Sequence, residues 1–140
     1  MQTRALVLAV APVVVSALCT LFAPDAAAAN RFALTCFENR TDLTLRYQTR
    51  WGNDGQWSST SIAPGERRWH SWRYERPNQN RSPVLHVRFD GDLTAKMYRQ
   101  AYTLKSYATP QEGDCKSYGK EYVFRYDGSS RKYIDLKERK

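Results

Sequence analysis

The chain has few groups that could do chemistry: two histidines and three cysteines among 140 residues. A zinc site needs three or four converging ligands. His70 and His86 have no carboxylate or cysteine at ligand spacing, so neither a metal nor a cofactor is expected, and each histidine reads as a surface or boundary residue. There is no Gly-x-Ser-x-Gly elbow, no phosphate-cradling glycine loop and no dinucleotide fingerprint. Ser71 follows His70 directly, but neighbours along a strand point to opposite faces and cannot form a nucleophile–base pair. Asp90-Gly91-Asp92 lacks the further oxygen ligands of a calcium loop and reads as a turn. No catalytic constellation is visible. The length leaves room for one ordinary domain, not two. A charged fraction of 26% excludes a multi-span membrane protein, and an aromatic fraction of 13% excludes a disordered tail.

The longest uncharged segment is near the start of the chain. Arg4 precedes an uncharged stretch, Ala5 to Pro24, which ends in Asp25 and four alanines. A cationic start, an apolar middle and a small-residue end are the layout of a cleavable signal-peptide helix over 1–29, with cleavage after Ala28 or Ala29. A membrane anchor is the competing reading, since about 20 apolar residues can span a bilayer. Pro12 and the alanine run favour cleavage, which leaves no transmembrane anchor. Cys19 is a poor lipidation site because the bulky Leu18 precedes it. Removing 1–29 takes away Arg4 and Asp25, so the net charge stays at +8, and Cys36 and Cys115 remain as an even pair. In a secreted or periplasmic domain such a pair reads as one disulfide. It would staple two sheets or close one end of the fold.

Residues 30–140 show period-two alternation and almost no helical periodicity. Leu43, Leu45, Tyr47, Thr49 and Trp51 share one face of a strand, with Arg46, Gln48 and Arg50 on the other. Further strands are expected over 32–37, 56–62, 67–74, 84–89, 97–107, 121–126 and 132–136. Gly52-Asn53-Asp54-Gly55, Ala63-Pro64-Gly65-Glu66 and Asp127-Gly128-Ser129-Ser130 punctuate them as turns. Seven to eight short strands at this spacing predict an all-β fold, an antiparallel β-sandwich or partly open barrel, in a single domain over 30–140. No connection is long enough for a helical crossover, which argues against parallel pairing.

Leu, Ile, Val and Met are scarce after the leader, so aromatic side chains must fill much of the interior. Trp51, Trp57, Trp72, Phe89, Tyr122 and Phe124 are expected there. The 67–74 strand carries a tryptophan on each face. Arg68, His70, Trp72 and Tyr74 have the greater apolar bulk and should point inward. Trp69 then faces outward between Arg67 and Arg73, unless the 75–83 loop folds over it. A tryptophan flanked by guanidiniums can stack on a sugar ring or hold arginine by cation–π contact. Arg67, Trp69, Arg73 and Arg76 are therefore the candidate binding residues.

Further positive charge lies at Arg46 and Arg50 and in the tail at Arg131, Lys132, Lys137, Arg139 and Lys140. A basic surface attracts anionic polymers. Export argues against nucleic acid and points to an anionic glycan, lipopolysaccharide or an acidic protein. The sequence thus predicts an exported, non-enzymatic binding module. A secreted inhibitor or toxin-like effector acting through the 75–83 loop, stiffened by Pro77 and Pro83, is the alternative, and a small hydrolase ranks last. Two glycosylation sequons also occur, at Asn39 and Asn80.

Overall fold

A computed structural model describes residues 31–76, 78–95, 100–128 and 130–140. The leader over 1–29 lies outside the described residues, as do Pro77 and the start of the strand expected at 97. The described residues form nine strands: β1 (Phe32–Asn39), β2 (Leu45–Trp51), β3 (Ser58–Ile62), β4 (Arg67–Arg73), β5 (Leu85–Phe89), β6 (Gln100–Leu104), β7 (Tyr107–Thr109), β8 (Lys120–Tyr126) and β9 (Ile134–Glu138). They build two packed sheets, as expected for a β-sandwich. One has the order β4-β1-β8-β9, with β7 also pairing β1, and the other has the order β3-β2-β5-β6.

Two expectations about connectivity need correction. The 97–107 segment is not one strand. β6 ends in the four-stranded sheet and β7 starts in the five-stranded one, so the chain crosses between sheets at Lys105 and Ser106. The crossing is held on both sides. The Tyr122 hydroxyl accepts from the Lys105 N–H at 3.0 Å, and the Thr35 hydroxyl donates to the Lys105 carbonyl at 3.2 Å. Secondly, β1 and β8 run parallel, with Thr35 opposite Lys120 and Asn39 opposite Phe124. Short connections limit only strands that follow one another. Here the chain visits the other sheet twice between β1 and β8, so no helix is needed to reverse it.

β1 is central and paired on both edges: β4 along one, β7 and then β8 along the other. Its inward side chains meet the interior. The core cluster combines Leu45, Ile62, Leu85, Val87, Leu104, Ile134 and Leu136 with the rings of Phe37, Tyr47, Phe89, Tyr122 and Phe124. Phe37, Tyr47, Phe89 and Phe124 meet mostly edge to face, at 5.1 to 5.6 Å between ring centroids. This geometry suits the aromatic quadrupole and adds to the area that each ring buries. The aromatic interior is as expected, with three exceptions: Trp57 lies outside it, Trp51 is only partly buried against it, and Trp72 is half-buried against Tyr74.

The ends of the strands are fixed locally. Asn39 is fully buried. Its amide donates to the carbonyls of Leu43 and Ile62, and its oxygen accepts from the Thr41 N–H and hydroxyl. A residue committed in this way cannot carry a glycan, so the first sequon is structural. The Ala63–Glu66 turn closes through a 3.0 Å bond from the Glu66 N–H to the Ala63 carbonyl. Gly65, at φ 72°, takes the position that a type II turn reserves for glycine.

Candidate functional site

Alternation along β4 sends Arg67, Trp69, Ser71 and Arg73 to the outer face of the five-stranded sheet, and it turns His70 inward. Trp69 is 48% exposed, as expected for an outward tryptophan. Gly113 lies against the ring: a Cβ there would come within 2.9 Å of the indole. With φ at 78° and an aromatic ring this close, only glycine fits there without strain. Ser71 completes the contact by donating to Glu112 at 2.5 Å.

The Cys36–Cys115 disulfide reaches the same β7–β8 connection, with 5.8 Å between the Cα atoms. It neither joins the two sheets nor closes an end. Cys36 is the β1 partner of Trp69, so the bond pins the β7–β8 connection onto the outer face of β1. The backbone at Gly119 comes so near that a Cβ there would sit 3.0 Å from both Leu34 and the Cys36 sulfur. Both faces of β1 are thereby buried, which explains its near-continuous burial.

His70 is the boundary residue expected, half-buried on the inner side of β4: its Nε2 lies 2.8 Å from the Tyr47 hydroxyl, and its ring packs on Phe37 at 5.1 Å. Burial, with a smaller contribution from the Arg68 charge, pushes its pKa down to about 4. The same burial raises Tyr47 well above the ordinary phenol value. His70 and Ser71 point to opposite faces, so they form no catalytic pair.

Arg67 does not stand alone. Its guanidinium reaches Glu38 at 3.2 Å and Glu121 at 3.7 Å. Arg139 bonds the same two carboxylates at 3.2 and 3.1 Å, and Arg40 reaches Glu38 at 2.8 Å. Hydrogen bonding from Arg40, opposed by partial burial and aided by Arg67, holds the Glu38 carboxyl below its usual range. Arg40 and Arg139 of this network also line, with Val123, Arg125, Lys137, Glu138 and Lys140, a depression of about 630 Å³ over β8 and β9. Arg73 and Arg76 are exposed farther along β4 and at its end. Arg67 therefore links the Trp69–Arg73 end of the sheet to the basic depression. The basic tail residues divide: Arg131 bonds Asp42 at another edge of the fold, whereas Lys137, Arg139 and Lys140 reach the depression.

The acids of this network were missed in the sequence because they meet only through the β1–β8 register, which puts Cys36 opposite Glu121 and Glu38 opposite Val123. Arg125 had a signal. With Tyr122 and Phe124 inward, the same alternation sends it out. The 75–83 loop is tied at one end by the Glu75 N–H to the Gln79 side chain at 3.1 Å, and at the other by Ser82 to Ser106 at 3.1 Å. Among the described residues, no three histidine, cysteine or acidic side chains converge on a metal site.

The fold and surface define a disulfide-pinned β-sandwich with a basic outer face, and the disulfide is consistent with an extracellular or periplasmic setting. No protein family matches the chain, and no curated protein or solved structure matches it either.

Proposed function

We propose that this protein is an exported, non-enzymatic module that binds an anionic glycan at the cell surface or outside it, through the outer face of the five-stranded sheet. The observation that carries the reading is the run of cations from Arg73, past Trp69, through Arg67, to Arg125, Lys137, Arg139 and Lys140. Glu38 and Glu121 fix the arginines in place, and with Glu138 and the Asp135 partner of Lys137 they offset only part of the positive charge. Trp69 supplies an exposed ring on which a sugar can stack. A row of charges along one face suits a polymer better than a small molecule, because each contact adds a little attraction and little shape is required. The leader over 1–29 would deliver the domain to the compartment in which its disulfide is stable.

Heparin serves as the probe. Retention of residues 30–140 on a heparin column should weaken steeply with salt, because screening shortens to about 8 Å at physiological ionic strength. Retention should fall further in the Arg67→Gln/Arg73→Gln double variant and in Arg125→Gln/Arg139→Gln. Binding that ignores salt and both pairs of substitutions would sink the proposal. Mass spectrometry of the N-terminus of the exported protein tests cleavage.

A further inference from the structure

The opposite outer face carries a second cluster of cations, built differently. Buried Thr49 and Val87 fix the alternation, so Gln48 and Arg50 on β2 and His86 and Arg88 on β5 point away from the core. Register sets Arg50 directly opposite His86, and Gln48 opposite Arg88. Trp57, on the connection just before β3, lies over this group. Its ring centroid is 4.8 Å from the Arg50 guanidinium carbon and 4.2 Å from that of Arg88. Arg88 is oriented from the side: its Nε donates to Gln48 at 2.6 Å, and Gln48 in turn donates to Ser59 at 2.8 Å.

Arg50 and His86 have no such settlement. The Arg50 Nε and the His86 Nε2 are both buried and lack a hydrogen-bond partner. The other ring nitrogen of His86 lies 3.3 Å from the Thr103 hydroxyl. With that hydroxyl donating, the ring proton sits on Nε2, and two donors without acceptors stand on facing strands. Buried donors are rarely left unpaired, and an arginine Nε can only donate. The group they lack must accept from both and tolerate two guanidiniums nearby. Asp90 follows the end of β5, two residues past Arg88 and four past His86.

We propose that Arg50, His86 and Arg88 form a site for a tetrahedral oxyanion, sulfate or phosphate, with Trp57 as its cover. Arginine matches such groups by paired N–H donation, and two guanidiniums balance a double negative charge. Trp57 belongs to a loop rather than to a strand. It can give way to the anion while β2 and β5 keep their register. The site is separate from the glycan face and does not depend on it.

The test is a titration with sodium sulfate and with sodium phosphate, against sodium chloride at equal ionic strength. The resonances of the arginine Nε–H groups and tryptophan indoles are followed by NMR. The Arg50 Nε–H and the Trp57 indole should shift and saturate with sulfate or phosphate but not with chloride. Arg50→Gln and His86→Gln should each weaken binding at least tenfold. Trp57→Ala should keep the site and bind as tightly or more tightly, because no ring has to move. Arg139→Gln should lower heparin retention and leave the sulfate response unchanged. Tighter binding of a sulfated disaccharide would assign the anion to a glycan ester, and equal binding would assign it to the free ion. Absence of saturation in both the unsubstituted protein and Trp57→Ala would overturn the proposal. So would a sulfate affinity that survives Arg50→Gln and falls in Arg139→Gln.

Discussion

On the five-stranded sheet the outward arginines reach carboxylates and lie beside a covalently pinned loop, whereas on the four-stranded sheet they reach an indole and an amide. The residue types are alike and the sheets share one core. What differs is the register. The parallel β1–β8 pairing brings Glu38 and Glu121 between Arg67 and Arg139. The antiparallel β2–β5 pairing sets Arg50 against His86 and leaves both with unpaired nitrogen atoms. Exposed ion pairs stabilise a fold by about 0–1 kcal/mol each. The first face therefore gains fixed geometry more than stability from its network. The second face keeps donors in reserve.

The largest expected effect separates the two faces most sharply. Replacing Cys36 and Cys115 by serine releases a loop of 79 residues, which in the chain-entropy account removes roughly 4 kcal/mol of stability. The loss should appear as a lower urea midpoint, with Trp69 more exposed to quencher. The Arg50 and Trp57 resonances should stay put. Movement of both faces together would break the comparison.

The next effect contrasts the inner and outer sides of β4. The outer side bears arginines in water, while the inner side holds His70 neutral. Its pKa is about 4 in the fold and 6.5 ordinarily, so between those values the unfolded chain binds more protons. Stability should thus be full above about pH 6.5 and fall as the pH drops toward 4, by at most roughly 3 kcal/mol. His70→Gln should flatten that part of the pH profile in thermal unfolding. An unchanged profile would show that His70 does not control it.

The smallest effect concerns the loop on Trp69. Gly113→Ala adds a Cβ that meets the indole at 2.9 Å, at a positive φ. A loss of about 1 kcal/mol is expected, together with a shifted Trp69 indole resonance. Wild-type stability and an unmoved indole would mean that the segment is not packed on that ring.

Much of this was legible in the sequence. Alternation gave the inward Leu45, Tyr47 and Thr49 of β2 and the shared face of Leu85, Val87 and Phe89 on β5, and it sent Trp69 outward, whereas Leu43, expected on the same face as Leu45, precedes the strand and is 39% exposed. The even cysteine pair gave the disulfide. Periodicity tells which way a side chain points, but not which strand lies beside it. The parallel β1–β8 pair, the acids it gathers and the crossing at Lys105–Ser106 were therefore out of reach. The boundary place of His70 follows from alternation along β4, but its partners do not. A phenol partner and surrounding rings make its burial tolerable. The scarcity of aliphatic residues points Trp57 to the core, yet the guanidiniums of Arg50 on β2 and Arg88 on β5 give it a resting surface outside.

The most direct measurement is a residue-by-residue NMR map of residues 30–140 titrated with a heparin oligosaccharide. The largest shifts are expected at Arg67, Trp69, Arg73, Arg125 and Arg139 on the five-stranded sheet, fading as salt is raised. Shifts confined to the 75–83 loop, or none that saturate, would contradict the proposed glycan face.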